Sequence, residues 1–129
     1  MNVSDGLILF AHGARDARWR EPFTEVAARI RVLQPAVEVR LAFLEFMTPT
    51  LTEAGHELAA AGCTRILVLP MFLGVGGHVR RDLPQMLDAM RLALPACRIE
   101  LAAAIGEDSA VMQAMALTAA RLLGEGGAP

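Results

Sequence analysis

Apolar residues fall along this chain in two alternating rhythms. Leu7 to Phe10 and Ile66 to Leu69 are short unbroken apolar runs, while Val37 to Phe43 is interrupted by Glu38 and Arg40, and Ile99 to Ala103 by Glu100. All four have the length of β-strands. Between and after them, apolar residues recur every three or four positions, as one face of a helix requires. These sets are Phe23, Val26, Ala27 and Ile30; Leu51, Ala54 and Leu58; Leu83, Met86, Leu87, Met90 and Leu94; and Met112, Met115, Ala116, Ala119 and Leu122. The methionines read as core filler. Punctuation agrees with the periodicity. Pro22 and Pro49 suit first turns, Thr48 suits an N-cap, Asp108 and Ser109 can open the last helix, and Gly62 and Gly124 sit where helices would end.

Strand and helix alternating four times with short connections predicts an α/β fold, a parallel sheet with helices on both faces. The unbroken runs suit strands buried on both sides, so strands one and three are central and strands two and four are edges. Right-handed crossovers then give the order 2-1-3-4. In that arrangement the winding reverses between strands one and three, and ligands bind beyond the carboxyl ends of the strands at that point. With 129 residues the chain supports one core. A single domain is expected over residues 1–125, with 126–129 as a loose tail.

Composition narrows the class. Apolar residues make up 54% of the chain, much of the excess being alanine. That surplus suggests a surface buried between subunits. No apolar run approaches the roughly 18 residues that span a bilayer, and Met1 to Asp5 is too polar to open a signal peptide, so a cytoplasmic protein with no membrane partner is expected. Cys63 and Cys97 lack C-x-x-C spacing and read as reduced, buried thiols. All twelve basic residues are arginines and the net charge is −2, which argues against nucleic acid as a partner. Two local clusters depart from that balance: Arg15, Arg18 and Arg20 after His12, and Arg80 and Arg81 after His78.

Each cluster follows a histidine at the end of a predicted strand. His12 closes the first in Phe10-Ala11-His12, and His78 follows the third across a glycine-rich segment, Gly74-Val75-Gly76-Gly77. The topology brings both to the mouth of one crevice. Imidazole ligates divalent metals and accepts protons near neutral pH, so a pair of them is a candidate metal-handling and proton-accepting site. Glu45, past the second strand, could add a carboxylate, whereas His56 lies inside the second helix and reads as a surface residue. The glycine segment matches neither a Walker pattern nor G-x-G-x-x-G, so no nucleotide is expected. It can approach a bulky ligand closely, and Arg15, Arg18, Arg80 and Arg81 could pair with ligand carboxylates.

Taken together, His12-Gly13-Ala14-Arg15-Asp16, Trp19-Arg20-Glu21-Pro22-Phe23, Ala42-Phe43-Leu44-Glu45, Pro70-Met71-Phe72-Leu73-Gly74, Gly76-Gly77-His78-Val79-Arg80 and Asp82-Leu83-Pro84 resemble the CbiX family of sirohydrochlorin chelatases. The resemblance implies a small single-domain class II chelatase that inserts a divalent metal into a tetrapyrrole of the corrinoid or sirohaem type. Cobalt is the first expectation, with iron or nickel next. It implies that His12 and His78 hold the metal and help to remove pyrrole protons, with Glu45 as the nearby acidic group. Arg15, Gly76, Gly77 and Arg80 are the expected contacts to the macrocycle, and a homodimer is the expected assembly. Two rival readings remain: a metal or tetrapyrrole carrier without turnover, and a histidine phosphatase. The latter lacks its arginine before the histidine, because Ala11 stands there.

Overall fold

The computed structural model describes residues 5–74 and 76–126. Four strands, β1 (Asp5–Ala11), β2 (Glu38–Phe43), β3 (Arg65–Pro70) and β4 (Arg98–Leu101), alternate with four helices, α1 (Glu21–Leu33), α2 (Leu51–Ala60), α3 (Gly77–Ala93) and α4 (Ser109–Gly126). Short 3-10 turns at Ala17–Arg20 and Ile105–Glu107 precede α1 and α4. The sheet is parallel throughout in the order β2-β1-β3-β4, as the strand composition predicts. Leu9 stands between Leu41 and Leu69, and Ile8 between Arg40 and Val68, so successive side chains of β1 serve opposite faces.

One face carries the larger core. Ile8, Phe10, Ile66, Val68 and Ile99 pack with Leu58 of α2 and with Leu87 and Met90 of α3. The two helices come close enough that a Cβ on Gly55 would stand 2.7 Å from Met90 Cε. On the other face Leu9 and Val39 pack with Ala27 of α1 in a smaller cluster. The periodic positions of α2 and α3 are thus interior, as expected. Those of α4 are not. Its substantial contacts are confined to the preceding 3-10 turn, and Met112 and Met115 are 48% and 41% exposed rather than core.

Local signals agree with the structure in most places and differ in three. Pro49 lies before α2 and not in its first turn, because Thr50 caps the helix and Leu51 begins it. Thr50, not Thr48, caps α2: its side chain accepts from the Glu53 amide while Glu53 returns a bond to the Thr50 amide, a reciprocal capping box. α4 continues past Gly124 to Gly126, and the rest of the expected tail, 127–129, lies outside the described residues. Both cysteines are free. Cys63 is buried, which pushes its thiol pKa up, and the half-buried Cys97 thiol donates to the Cys63 carbonyl at 3.4 Å. Among the described residues no helix is long and apolar enough to cross a membrane.

Candidate active site

The carboxyl ends of β1 and β2 form a tightly bonded corner. Beyond the last strand residues, the Leu44 amide donates to the Ala11 carbonyl at 2.9 Å and the Glu45 amide to the His12 carbonyl at 3.0 Å. The ladder therefore runs past the strands and carries His12 and Glu45 side by side to the rim, both exposed. Gly13 permits the turn that follows. Its φ is +90°, and a Cβ there would overlap the carbonyl oxygen of Glu45.

The His12 ring is supported from below. It stacks on Phe72 with ring centroids 4.3 Å apart and planes 31° from parallel, and Phe72 is itself buried and packed 6.0 Å from Phe10. An exposed imidazole thus rests on a fixed aromatic floor. Phe46, next to Glu45, is 56% exposed and holds φ at +67°, a conformation unusual for a bulky residue. The Arg15 guanidinium lies 4.5 Å above its ring. The neighbouring arginines serve the fold. Arg18 pairs with Asp16 at 2.9 Å and holds that carboxyl below its ordinary pKa, and Arg20 lies over Phe43 and donates to the Thr48 carbonyl at 2.8 Å.

After β3 the chain changes character within a few residues. The Met71 amide donates to the Phe10 carbonyl at 2.7 Å and the Gly106 amide to the Phe72 carbonyl at 2.9 Å, while a Cβ on Gly106 would overlap the backbone of Leu73. Residues 71–73 are therefore pinned between β1 and the second 3-10 turn. From Gly74 onward that packing stops. At Gly74, Gly76 and Gly77 no atom of the described residues beyond the immediate chain neighbours and the helix's own nearby backbone lies within 4 Å of where a Cβ would stand. Gly76 is the N-cap of α3, with no side-chain cap among the described residues, and His78 belongs to the first helical turn. Val75 lies outside the described residues. Beside this turn, Arg80, Leu83 and Pro84 of α3 face Pro70, Leu101 and Glu107 across a cleft of about 300 Å³.

The expected site residues fall into two groups along one edge of the sheet. His12, Glu45 and Arg15 stand at the β1–β2 corner, and Gly76, Gly77, His78 and Arg80 open α3 after β3. His56 is exposed on α2, away from both. Among the described residues no three His, Cys, Asp or Glu side chains converge on a point that could hold a metal ion. Sequence reasoning passed over Phe72 and Phe46. A buried Phe after a strand reads as core, and it is the β1–β3 register, with His12 and Phe72 each two residues beyond the Phe10–Pro70 pair, that brings it under His12.

Known proteins align with this arrangement over most of its length. The sirohydrochlorin cobaltochelatase of Sulfurisphaera tokodaii is 31% identical over 108 residues, covering 84% of this chain and 85% of that protein. The crystal structure of a cobalamin (vitamin B12) biosynthesis CbiX protein from Marinobacter aquaeolei VT8 superposes with a TM-score of 0.82 at 28% identity, over 94% of this chain and 98% of the other. The sirohydrochlorin chelatase SirB from Bacillus subtilis subspecies spizizenii, solved in complex with cobalt, shares the fold with a TM-score of 0.78 at 22% identity. There 93% of this chain matches 51% of the longer one, so this chain spans about half of SirB. The CbiX family model matches residues 6–121. The chain belongs to the CbiX family.

Proposed function

We propose that this CbiX-family enzyme inserts a divalent metal, cobalt in preference to iron or nickel, into sirohydrochlorin or a related tetrapyrrole, in the cytoplasm and as a homodimer. The name of the Sulfurisphaera relative supports both the macrocycle and the metal. The observation that carries the reading is His12 at the end of β1. Its imidazole is exposed yet seated on buried Phe72, and its backbone is bonded to Glu45. Such a group is fixed in place and open to a ligand.

The chemistry follows from the residues. The flat macrocycle lies along the carboxyl edge, its carboxylates meeting Arg15 and Arg80 and its rings passing close to Gly76 and Gly77, where no described residue beyond the local chain stands within 4 Å of a Cβ position. His12 and His78 present the metal to one face of the ring. As the metal bonds to the four ring nitrogens, two pyrrole N–H protons leave, and neutral imidazole accepts them directly or through water, with Glu45 as the adjacent carboxylate. Metal and free macrocycle become metallated macrocycle and two protons. No nucleotide takes part.

Absorbance-monitored insertion into sirohydrochlorin, with cobalt, nickel and ferrous iron compared side by side, tests the reading. His12→Ala and His78→Ala should each lower insertion by about 10²-fold or more, the lower end of a general-base contribution. Macrocycle binding should suffer less, since it rests on apolar contact and carboxylate pairing, and His56→Ala should be nearly silent. Wild-type turnover in the His12→Ala, His78→Ala double variant would defeat the mechanism.

A further inference from the structure

The three arginines that follow His12 are used differently. Arg18 donates to the Asp16 carboxylate through Nε and Nη2, at 3.2 and 2.9 Å, and Arg20 donates to the Thr48 carbonyl. Arg15 has no hydrogen bond or ion pair among the described residues. Its contact is the face of the Phe46 ring, with the guanidinium carbon 4.5 Å from the ring centroid. That attraction draws on the charge and leaves the N–H donors of the fork for an acceptor.

Phe46 is held there in a strained conformation. Its φ of +67° lies in the left-handed region, which a bulky side chain adopts only where its surroundings impose it. The surroundings are the His12 rim itself. Glu45, the preceding residue, donates its amide to the His12 carbonyl at 3.0 Å, and its own carbonyl oxygen lies where a Cβ on Gly13 would stand. Segments 12–15 and 45–46 therefore meet at successive steps: His12 on Glu45, Gly13 on Glu45, and Arg15 on Phe46. The ring is 56% exposed, so it adds little to the core and packing does not account for the strain. Strain of this kind gathers at sites that bind or react.

We propose that Phe46 is a positioning residue for substrate: it holds the Arg15 guanidinium at the His12 rim, ready to meet a carboxylate of the macrocycle. A long side chain ordered before binding loses less freedom when it pairs, and that difference appears as affinity for substrate and not as faster proton transfer. The inference rests on the chelation reading above, in which Arg15 meets a macrocycle carboxylate, and adds the residue through which Arg15 is held.

Insertion of cobalt into sirohydrochlorin, with KM for the macrocycle and kcat read separately, tests it. Phe46→Leu removes the ring face and keeps an apolar side chain, so KM should rise about two- to five-fold, the worth of an exposed cation–π contact, while kcat holds. Phe46→Tyr keeps the face and should keep KM at the wild-type value. Arg15→Gln loses the charged pair and should raise KM by about tenfold or more. Adding Phe46→Leu to Arg15→Gln should raise KM no further, because the ring acts through the guanidinium. An unchanged KM in Phe46→Leu, a KM in Phe46→Tyr as high as in Phe46→Leu, or a full second increase in the double variant overturns the inference and leaves the chelation reading intact. Wild-type protein that inserts no metal overturns both.

Discussion

The β1–β2 corner and the start of α3 lie on the same edge of the sheet and are built on opposite terms. At the corner every degree of freedom is spent on the protein itself: two hydrogen bonds extend the ladder, Gly13 takes a conformation that leaves no space for a side chain, and the imidazole rests on a buried ring. At Gly74, Gly76 and Gly77 no described residue beyond the local chain stands where a Cβ would be. One half of the proposed site is held by contacts within the chain, and the other half is open around its glycines. Glycine serves both, for different physical reasons. In the first the protein excludes the Cβ, and in the second it leaves space for one.

The largest break of that contrast is Gly13→Ala. At φ +90° an L side chain is strained, and the new methyl overlaps a carbonyl that sits in the residue whose amide fastens β2 to His12. Relief requires moving that corner. The loss should be on the order of 3 kcal/mol in urea unfolding, with metal insertion falling alongside it. Near-wild-type stability would mean that the corner is softer than its hydrogen bonds suggest.

Phe72→Leu sharpens the comparison with a smaller effect. Leucine keeps most of the buried volume, so stability should drop by about 1 kcal/mol. The aromatic floor under His12 disappears, however. A stacked pair is worth no more than about 1.5 kcal/mol, so the insertion rate should fall by up to about tenfold, with the KM for the macrocycle unchanged. A change in KM alone would make Phe72 a wall of the ligand site rather than a seat for the imidazole.

What the sequence made legible divides along similar lines. Sheet order was readable because Leu7 to Phe10 and Ile66 to Leu69 carry no polar residue, and a strand covered on both sides has no place for one. The cap of α2 carried a signal that the choice of Thr48 overlooks: Glu53 follows Thr50 by three, whereas Thr48 has no such partner. The destination of α4 was not. Periodicity marks Met112, Met115 and Leu122 as one apolar face, and says nothing about the fold leaving that face exposed. At the site, His12 was visible as a polar residue ending an apolar strand. The positive φ of Phe46 was hidden, because a bulky side chain argues against that conformation and only the surrounding loop imposes it.

The smallest expected effect sits at the open end. Gly77 is the first residue of α3 and has no positive φ, and its absent Cβ would meet no described residue beyond the local chain. Alanine there loses less chain entropy on folding, so Gly77→Ala should stabilise the protein by about 0.5 kcal/mol, the reverse of Gly13→Ala. If this backbone is a surface for the macrocycle, the same methyl stands in the ligand's space, and the KM for sirohydrochlorin should rise several-fold while kcat holds. A more stable protein with a higher KM is the signature of a glycine kept for a ligand. A more stable protein with unchanged KM would show that the macrocycle passes elsewhere, and the Arg80 side of the cleft would then be the place to look for its edge.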